Sequence, residues 1–588
     1  MASSHPVLTA VLVSAITLAA PFRLAAQRAA VEAPHGMVVS AHALASQAGV
    51  EILKKGGNAV DAAVATGLAL AVVFPNAGNL GGGGFMLIHL ADPGTPGPGR
   101  DLVIDYRETA PAAATAGMYV GPDGKVLTGL HSSTVGWRAS GVPGTVAGLA
   151  LALEKYGSGR VTWAEVCEPA RRLAAEGHTV TAGADRSLRA AHKLLGRFPE
   201  SERIYLNGGT GRKAGARWVQ ADLGATFTRL QQAGPREFYE GETARRIATA
   251  MAANGGFITL ADLQAYRPVE RAPLRGSYRG HDIVTMPPPS SGGIALLQML
   301  AMLEPRDVAA LSHNSAAKYH LLAEVMKRAF RDRAEYPGDP AFVRVPVAEL
   351  LAPAYARSRM ADFSPDHATP ATALAPGLGR FAAPPAGEKP ETTHFSVVDA
   401  AGNAVANTYT LNGAYGSGVT IPGTGILMNN EMDDFTALVG APNMFGLIQG
   451  EANAIAPGKR PLSSMTPTLV FKDGRLVLVT GSPGGPTIIN TVLQVITNVI
   501  DHGLSVMQAV EAPRIHHQWL PDVLTYERSG LSAATAAALR AKGHALKERD
   551  SYEGAHQGDA ETIAFNSKTG LLLGAADPRK PDSLAVGY

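Results

Sequence analysis

The stretch E388-K-P-E-T-T-H-F-S-V-V-D399 decides how the rest of the chain is read. From Thr393 to Val398 the residues alternate in the manner of a half-buried strand. Two threonines stand at its mouth, directly behind the charged, proline-containing run Glu388-Lys389-Pro390-Glu391, which reads as an exposed loop. Threonine has good strand propensity, so a plain strand start accounts for the pair. A backbone cut between Glu391 and Thr392 gives it a second meaning. Thr392 would then carry a hydroxyl and a free α-amine on one residue. A threonine hydroxyl is a poor nucleophile until an adjacent base activates it, and an N-terminal amine is such a base. With a reference pKa of about 8, that amine is substantially neutral at mildly alkaline pH.

Outward from this stretch, residues 364–391 are rich in Pro, Ala and Gly and read as the clearest linker in the chain. Beyond it strands are expected at 393–399, 404–411, 469–472 and 476–480, with helices at 487–502 and 505–512. Ahead of it, 38–74 reads as two Ala-rich helices broken at Gly56-Gly57, the second capped by Asn58 and ended by Pro75. Strands are expected at 85–90 and 101–106, and helical segments at 136–200 and 241–265. The loop 287–293 feeds a helix at 294–304, and another helix covers 315–334. Alternating blocks of helix and mostly antiparallel strand predict an α+β fold with sheets sandwiched between helices. Length alone, 588 residues, suggests roughly four domains.

Fifty-two basic residues against 50 acidic ones leave a net charge of +2, with no basic arm or acidic tail, so nothing points to nucleic acid. The single cysteine, Cys167, excludes an intramolecular disulfide and a cysteine-based metal cluster, and reads as a small buried residue. His516 and His517 are adjacent on an expected strand and would face opposite sides, which argues against a shared metal. Residues 7–20 form an apolar run too short for a comfortable membrane span. Pro21, Arg23 and the small-residue patch Leu24-Ala25-Ala26-Gln27 follow it. The pattern reads as a secretory signal with cleavage near Ala26, although its start lacks Lys and Arg; an uncleaved anchor is the alternative.

Two glycine-rich loops test for other chemistry. G78-N-L-G-G-G-G-F85 has a helix before it and a strand after it, the reverse of a nucleotide-binding loop. G481-S-P-G-G-P-T487 lies between a strand and a helix, where bare amides could face a developing oxyanion. It equally suits an ordinary strand-to-helix turn.

Taken together, P-E-T-T-H-F-S-V-V-D, T408-Y-T-L-N412, N429-N-E-M-D-D-F435, R460-P-L-S-S-M465 and G481-S-P-G-G485 resemble a γ-glutamyltransferase, a branch of the N-terminal nucleophile hydrolases. N79-L-G-G-G-G-F85, the Y-R-E-T-A-P run from Tyr106, M286-P-P-P-S-S-G-G293 and A576-D-P-R579 extend the resemblance over nearly the whole chain. It implies a four-layer αββα sandwich. With the signal peptide read over 1–26, it also implies a precursor that cuts itself before Thr392 into a large subunit, 27–391, and a small catalytic subunit, 392–588. The two would stay together as an exported, periplasmic or secreted heterodimer.

The resemblance assigns Glu431 and Asp434 to the ammonium of a γ-glutamyl head, and Arg107, Ser463 and Ser464 to its carboxylate. Arg107 suits that part as a planar, two-pronged donor. Thr410 would support the nucleophile, Asn412 would bond the head group, and Gly484 and Gly485 would donate the oxyanion amides. Thr410 and Asn412, two apart on the expected strand, should face one side. Asp433 reads as structural. The implied reaction cleaves glutathione and other γ-glutamyl compounds through a Thr392 ester, passing the acyl group to water or to an amino acid or dipeptide. It needs neither metal nor organic cofactor. The segment 437–447 matches a lid; where some members carry tyrosine this chain has Phe445, so a possible hydroxyl bond to Asn412 is lost while gating by ring bulk is expected to survive. Rival readings are an acylase for glutaryl or cephalosporin-type amides, a poly-γ-glutamate ligase-like enzyme, and an uncleaved binding protein for γ-glutamyl peptides.

Overall fold

Two seven-stranded sheets stack face to face in the computed structural model, which describes residues 28–92, 99–379, 392–528, 530–549 and 556–588. The first runs in the order Leu584–Gly587, Met37–Ser40, Thr393–Val398, Ala404–Thr410, Gly83–Leu90, Arg100–Asp105, Val269–Arg271. The second runs Val31–Ala33, Leu572–Ala575, Thr562–Phe565, Arg475–Thr480, Thr468–Lys472, His281–Thr285, Leu274–Tyr278. Their facing sides bury Val39, Phe85, Leu87 and Val398 against Val284, Leu469, Val479 and Ile563.

The outer face of the first sheet is covered by helices that include Ala43–Lys54, Ala59–Val73, Thr145–Tyr156 and Trp163–Ala175. The outer face of the second carries Gly292–Leu303, Ala316–Arg333 and Thr487–Ile500. The result is the expected helix–sheet–sheet–helix stack. Every residue of Ala59–Val73 is buried, as befits a helix apolar on all sides. Asn58 starts it through a capping box with Asp61, a device worth about 1 kcal/mol.

Several expectations are corrected. Thr393–Val398 is not half-buried: all six residues are buried, because the strand is third in a sheet covered on both faces. Its alternation separates two interiors rather than core from solvent. Phe395 and Val397 join the helix layer, and Val398 joins the inter-sheet core. Residues 37–40 form a strand, not the start of the first helix. The span 136–200 breaks into short helices with a two-residue strand, His178–Thr179, between them. Length suggested about four domains, yet the two sheets share one stack. Cys167 is buried in the Trp163–Ala175 helix, and burial pushes its thiol up.

Strands from before and after the 391–392 junction interleave. Thr393–Val398 and Ala404–Thr410 lie between Met37–Ser40 and Gly83–Leu90. One broken peptide bond would therefore leave the sheet's hydrogen-bond ladders intact. The expected leader, 1–26, the run 388–391 and the upstream side of the expected cut lie outside the described residues. Among the described residues no helix is long and apolar enough to cross a membrane.

Candidate active site

Antiparallel register sets the centre of the site. Thr393 pairs with Tyr409, so Thr392, one step before the strand, faces Thr410 at the end of the next. Their Oγ1 atoms are 3.5 Å apart. The Asn412 amide donates to Thr410 Oγ1 at 2.8 Å. Asn412 reaches the site by a left-handed turn, with φ of 76°, after the strand has ended at Thr410. The expectation that two-residue strand spacing would align these side chains is corrected on that point, although both do line the cavity.

The glycine run behind Thr410 has a structural use. Asn79 Nδ2 donates to the Thr410 carbonyl at 2.8 Å, and a Cβ on Gly82 would fall 2.0 Å from that oxygen. Only glycine allows the backbones to approach so closely. His394, third in the Thr-Thr-His run, is a scaffold rather than a base. Its ring nitrogens lie 2.8 Å from Thr408 Oγ1 and 3.2 Å from Ser396 Oγ, and burial pushes it down to about 3.

One small cavity is lined by Thr392, Thr410, Asn412, Arg107, Glu431, Asp434, Phe445, Ser463, Ser464 and Gly485. Every site residue expected from the sequence is there except Gly484, which immediately precedes Gly485. The free volume is about 20 Å³, room for roughly one water.

Arg107 is fully buried. Its Nη1 pairs with Glu431 and its Nη2 with Asp434. Glu108 stands back, 3.8 Å from Nη1. Glu431 and Asp434 open and close one 3-10 turn, which points both carboxylates at the guanidinium. Burial raises the carboxyls of Glu431 and Asp434, and the Arg107 charge pulls them back. Burial also draws Arg107 down, but the surrounding carboxylates more than offset it and hold it above its ordinary value. Arg460 fixes the Arg107 backbone by donating to its carbonyl, and Tyr266 OH donates to the same oxygen at 2.8 Å.

Ser463 Oγ accepts from the Met465 amide at 3.1 Å, and Ser464 Oγ accepts from Arg333 Nη2 at 2.9 Å. Each hydroxyl keeps its own proton to donate. The proline-rich 287–293 loop holds this turn: Ser291 N and Ser291 Oγ both donate to the Ser463 carbonyl, at 2.9 and 2.7 Å.

Gly484 and Gly485 have φ of 125° and 52°. Their carbonyls accept from Thr487 and Ile488 at the start of the Thr487–Ile500 helix. Among the described residues neither glycine amide donates to a protein acceptor, which leaves both available to an anion.

Phe445 sits in a turn over the cavity, only 4% exposed. Met444 N donates to Asp433 Oδ2 at 2.8 Å, and Asn443 Nδ2 donates to Asp434 Oδ1 at 3.2 Å. Asp433, expected to be structural, is a fastening for this turn, and Ser133 Oγ holds its other oxygen at 2.7 Å. Asn412 Nδ2 donates to Met444 Sδ at 3.7 Å. The lid motif contains Met444 and Asn443, but nothing in the sequence marks Ser133 or Arg333.

His320, Glu324 and His544 bring ligand atoms within 4.8 Å of one another. Glu324 is already bridged to Lys327 and Arg328, whose charges occupy a cation's role there. His516 and His517 engage separate side-chain partners, Asn490 with Gln518 and Asp522 respectively, and the strand Ile515–His516 ends before His517.

Residues 45–587 match the family model for gamma-glutamyltranspeptidase. The chain is 48% identical over 562 residues to the glutathione hydrolase proenzyme of Escherichia coli (strain K12), covering 95% of this chain and 93% of that protein. Its fold is similar to the crystal structure of cephalosporin acylase from Bacillus halodurans, with a TM-score of 0.82, 26% identity and coverage of 98% and 99% of the two chains. A chain of Helicobacter pylori gamma-glutamyltranspeptidase matches at a TM-score of 0.56 and 39% identity, covering 62% of this chain and 99% of that one.

Proposed function

The chain belongs to the gamma-glutamyltranspeptidase family, and from that premise we propose how its residues carry the reaction. It is a γ-glutamyltransferase with glutathione hydrolase activity. We propose that the precursor is cut between Glu391 and Thr392, giving pieces 27–391 and 392–588 that remain one interleaved core. The proenzyme status of the Escherichia coli relative supports this. So does the Helicobacter pylori chain, which matches about the share of this sequence that 27–391 makes up.

In the mature enzyme the Thr392 α-amine takes the proton from Thr392 Oγ1, and the oxygen attacks the γ-carbonyl. The amides of Gly484 and Gly485 receive the oxyanion, with Thr410 holding the Thr392 hydroxyl in line. The protonated amine then gives its proton to the departing amine, cysteinylglycine in the case of glutathione. A γ-glutamyl ester remains on Thr392. Water or the amine of an amino acid or dipeptide acceptor, deprotonated by the same α-amine, attacks the ester and frees the hydroxyl. The substrate's ammonium lies against Glu431, Asp434 and Asn412, and its carboxylate against Arg107, Ser463 and Ser464. To admit it, the Arg107 fork gives up part of its pairing with the two acids, and the Phe445 turn lifts.

The observation that carries this reading is the gathering of nucleophile, head-group acids, guanidinium, serines and oxyanion glycine around one cavity. A denaturing gel, with release of p-nitroaniline from γ-glutamyl-p-nitroanilide with and without a dipeptide acceptor, tests it. Two fragments and turnover support it; one uncut band with full turnover, or binding without turnover, overturns it. The cephalosporin acylase likeness raises an amide acylase as a second reading, but a glutaryl group has no ammonium to match Glu431 and Asp434. We also propose export, on the apolar run 7–20.

A further inference from the structure

Arg333 is the last residue of the Ala316–Arg333 helix and is 3% exposed. Neighbouring arginines on that helix have carboxylate partners: Arg328 pairs with Glu324, and Arg331 with Glu335. Arg333 forms no such pair among the described residues. Its Nη2 donates to Ser464 Oγ at 2.9 Å. Its Nε and Nη1 are buried without an acceptor among the described residues. An unmatched buried cation is costly to a fold unless something with negative charge arrives beside it.

The charge balance of the neighbouring cavity says what that is. Arg107 stands against three carboxylates, those of Glu108, Glu431 and Asp434. A γ-glutamyl head brings one positive and one negative group. Its carboxylate would approach a guanidinium already engaged by two acids. Burial pulls Arg333 down only to about 10, with Asp434 acting in the opposite sense, so it stays charged at neutral pH.

We propose that Arg333 is a positioning residue for the carboxylate end of this site: it holds Ser464 Oγ as an acceptor, so that the hydroxyl proton faces the substrate, and it supplies the uncommitted positive charge there. This rests on the γ-glutamyl reading above. It also adds Arg333 to Arg107 as a second residue from before the 391–392 junction that serves the carboxylate end, where Ser463 and Ser464 come from after it.

The test uses the full chain and its Arg333→Met, Arg333→Lys and Ser464→Ala variants, each first checked for two fragments on a denaturing gel. Two donors are compared: γ-glutamyl-p-nitroanilide, and 4-aminobutyryl-p-nitroanilide, which lacks only the α-carboxylate. Arg333→Met should raise KM for the first at least about tenfold, the size of one lost charge-assisted hydrogen bond. Its kcat should stay within about threefold. Its kcat/KM for the second donor should hardly change, and Arg333→Lys should recover part of the loss. Adding Ser464→Ala to Arg333→Met should cost little more, because the two act as a unit. Equal losses on both donors, or losses from Arg333 and Ser464 that multiply, overturn the proposal. Should Arg333→Met stay uncut, Arg333→Lys decides: a raised KM for γ-glutamyl-p-nitroanilide alone supports the proposal, and an unchanged one overturns it. Wild-type protein that is cut but inert on γ-glutamyl-p-nitroanilide overturns the functional reading itself, and the proposal with it.

Discussion

Replacing Thr410 by Val removes one oxygen while nearly keeping the side chain's shape. That oxygen lies 3.5 Å from Thr392 Oγ1 and accepts the Asn412 amide at 2.8 Å. Both residues are buried, at 1% and 3% exposure, so water does not replace the lost acceptor. The stranded amide should cost about 1–3 kcal/mol of stability. The same loss frees the left-handed turn at Asn412 and lets the Thr392 hydroxyl drift. A displacement on the order of 1 Å at a reacting atom can cost about 10²-fold in rate. Thr410→Val should therefore slow both self-cleavage, followed on a denaturing gel, and turnover of γ-glutamyl-p-nitroanilide by about two orders of magnitude. Thr410→Ser, which restores the oxygen, should recover most of each. Thr410→Val cutting and turning over at the wild-type rate would refute the role given to this oxygen, as would a serine variant no better than the valine one.

Gly484→Ala places a methyl 2.4 Å from Thr487 Oγ1 on a backbone with φ of 125°, and should twist the oxyanion amides away. The expected loss in kcat is about 10²–10³-fold, the cost of one oxyanion donor, with little change in KM; a raised KM at full kcat would contradict it. Glu431→Gln removes a carboxylate from the ammonium end and should raise KM for γ-glutamyl-p-nitroanilide by about tenfold or more, without a matching rise for glutaryl-p-nitroanilide. Equal effects on both donors would count against the assignment. Burial pushes Asp433 up to about 6, above the ordinary aspartate value, so the folded protein holds that proton where the unfolded chain has released it. Its contribution to stability is present at low pH and is lost as pH rises from about 4 through about 6. Asp433→Asn should abolish that part of the melting-temperature slope, and an unchanged slope would contradict the shift.

The sequence carries much of this architecture, for identifiable reasons. Ala59–Val73 is legible because Asn58, Asp61 and Pro75 punctuate it and no polar face interrupts it. Residues 37–40 and 269–271 are not, because three or four residues give no period to count. Thr393–Val398 misleads because strand alternation looks the same whether the second face meets water or another protein layer; only the stacking of the second sheet shows which. At the site, the cavity-lining residues proposed to hold a head group lie within their motifs. Their supports come from distant segments and leave no local signature: Ser133 beneath Asp433, Arg333 behind Ser464, Tyr266 on the Arg107 carbonyl. Asn412 shows the limit of periodic reasoning, since it reaches the cavity only because the strand stops and the chain turns left-handed.

The account stands on Thr392 becoming a chain terminus that attacks with its own hydroxyl. Mass spectrometry of the protein quenched during turnover of γ-glutamyl-p-nitroanilide tests this most directly. The small fragment should begin Thr-Thr-His-Phe, and its first residue, Thr392, should carry one γ-glutamyl group as an ester. A fragment starting elsewhere, or an acyl group carried by any other residue, would contradict it.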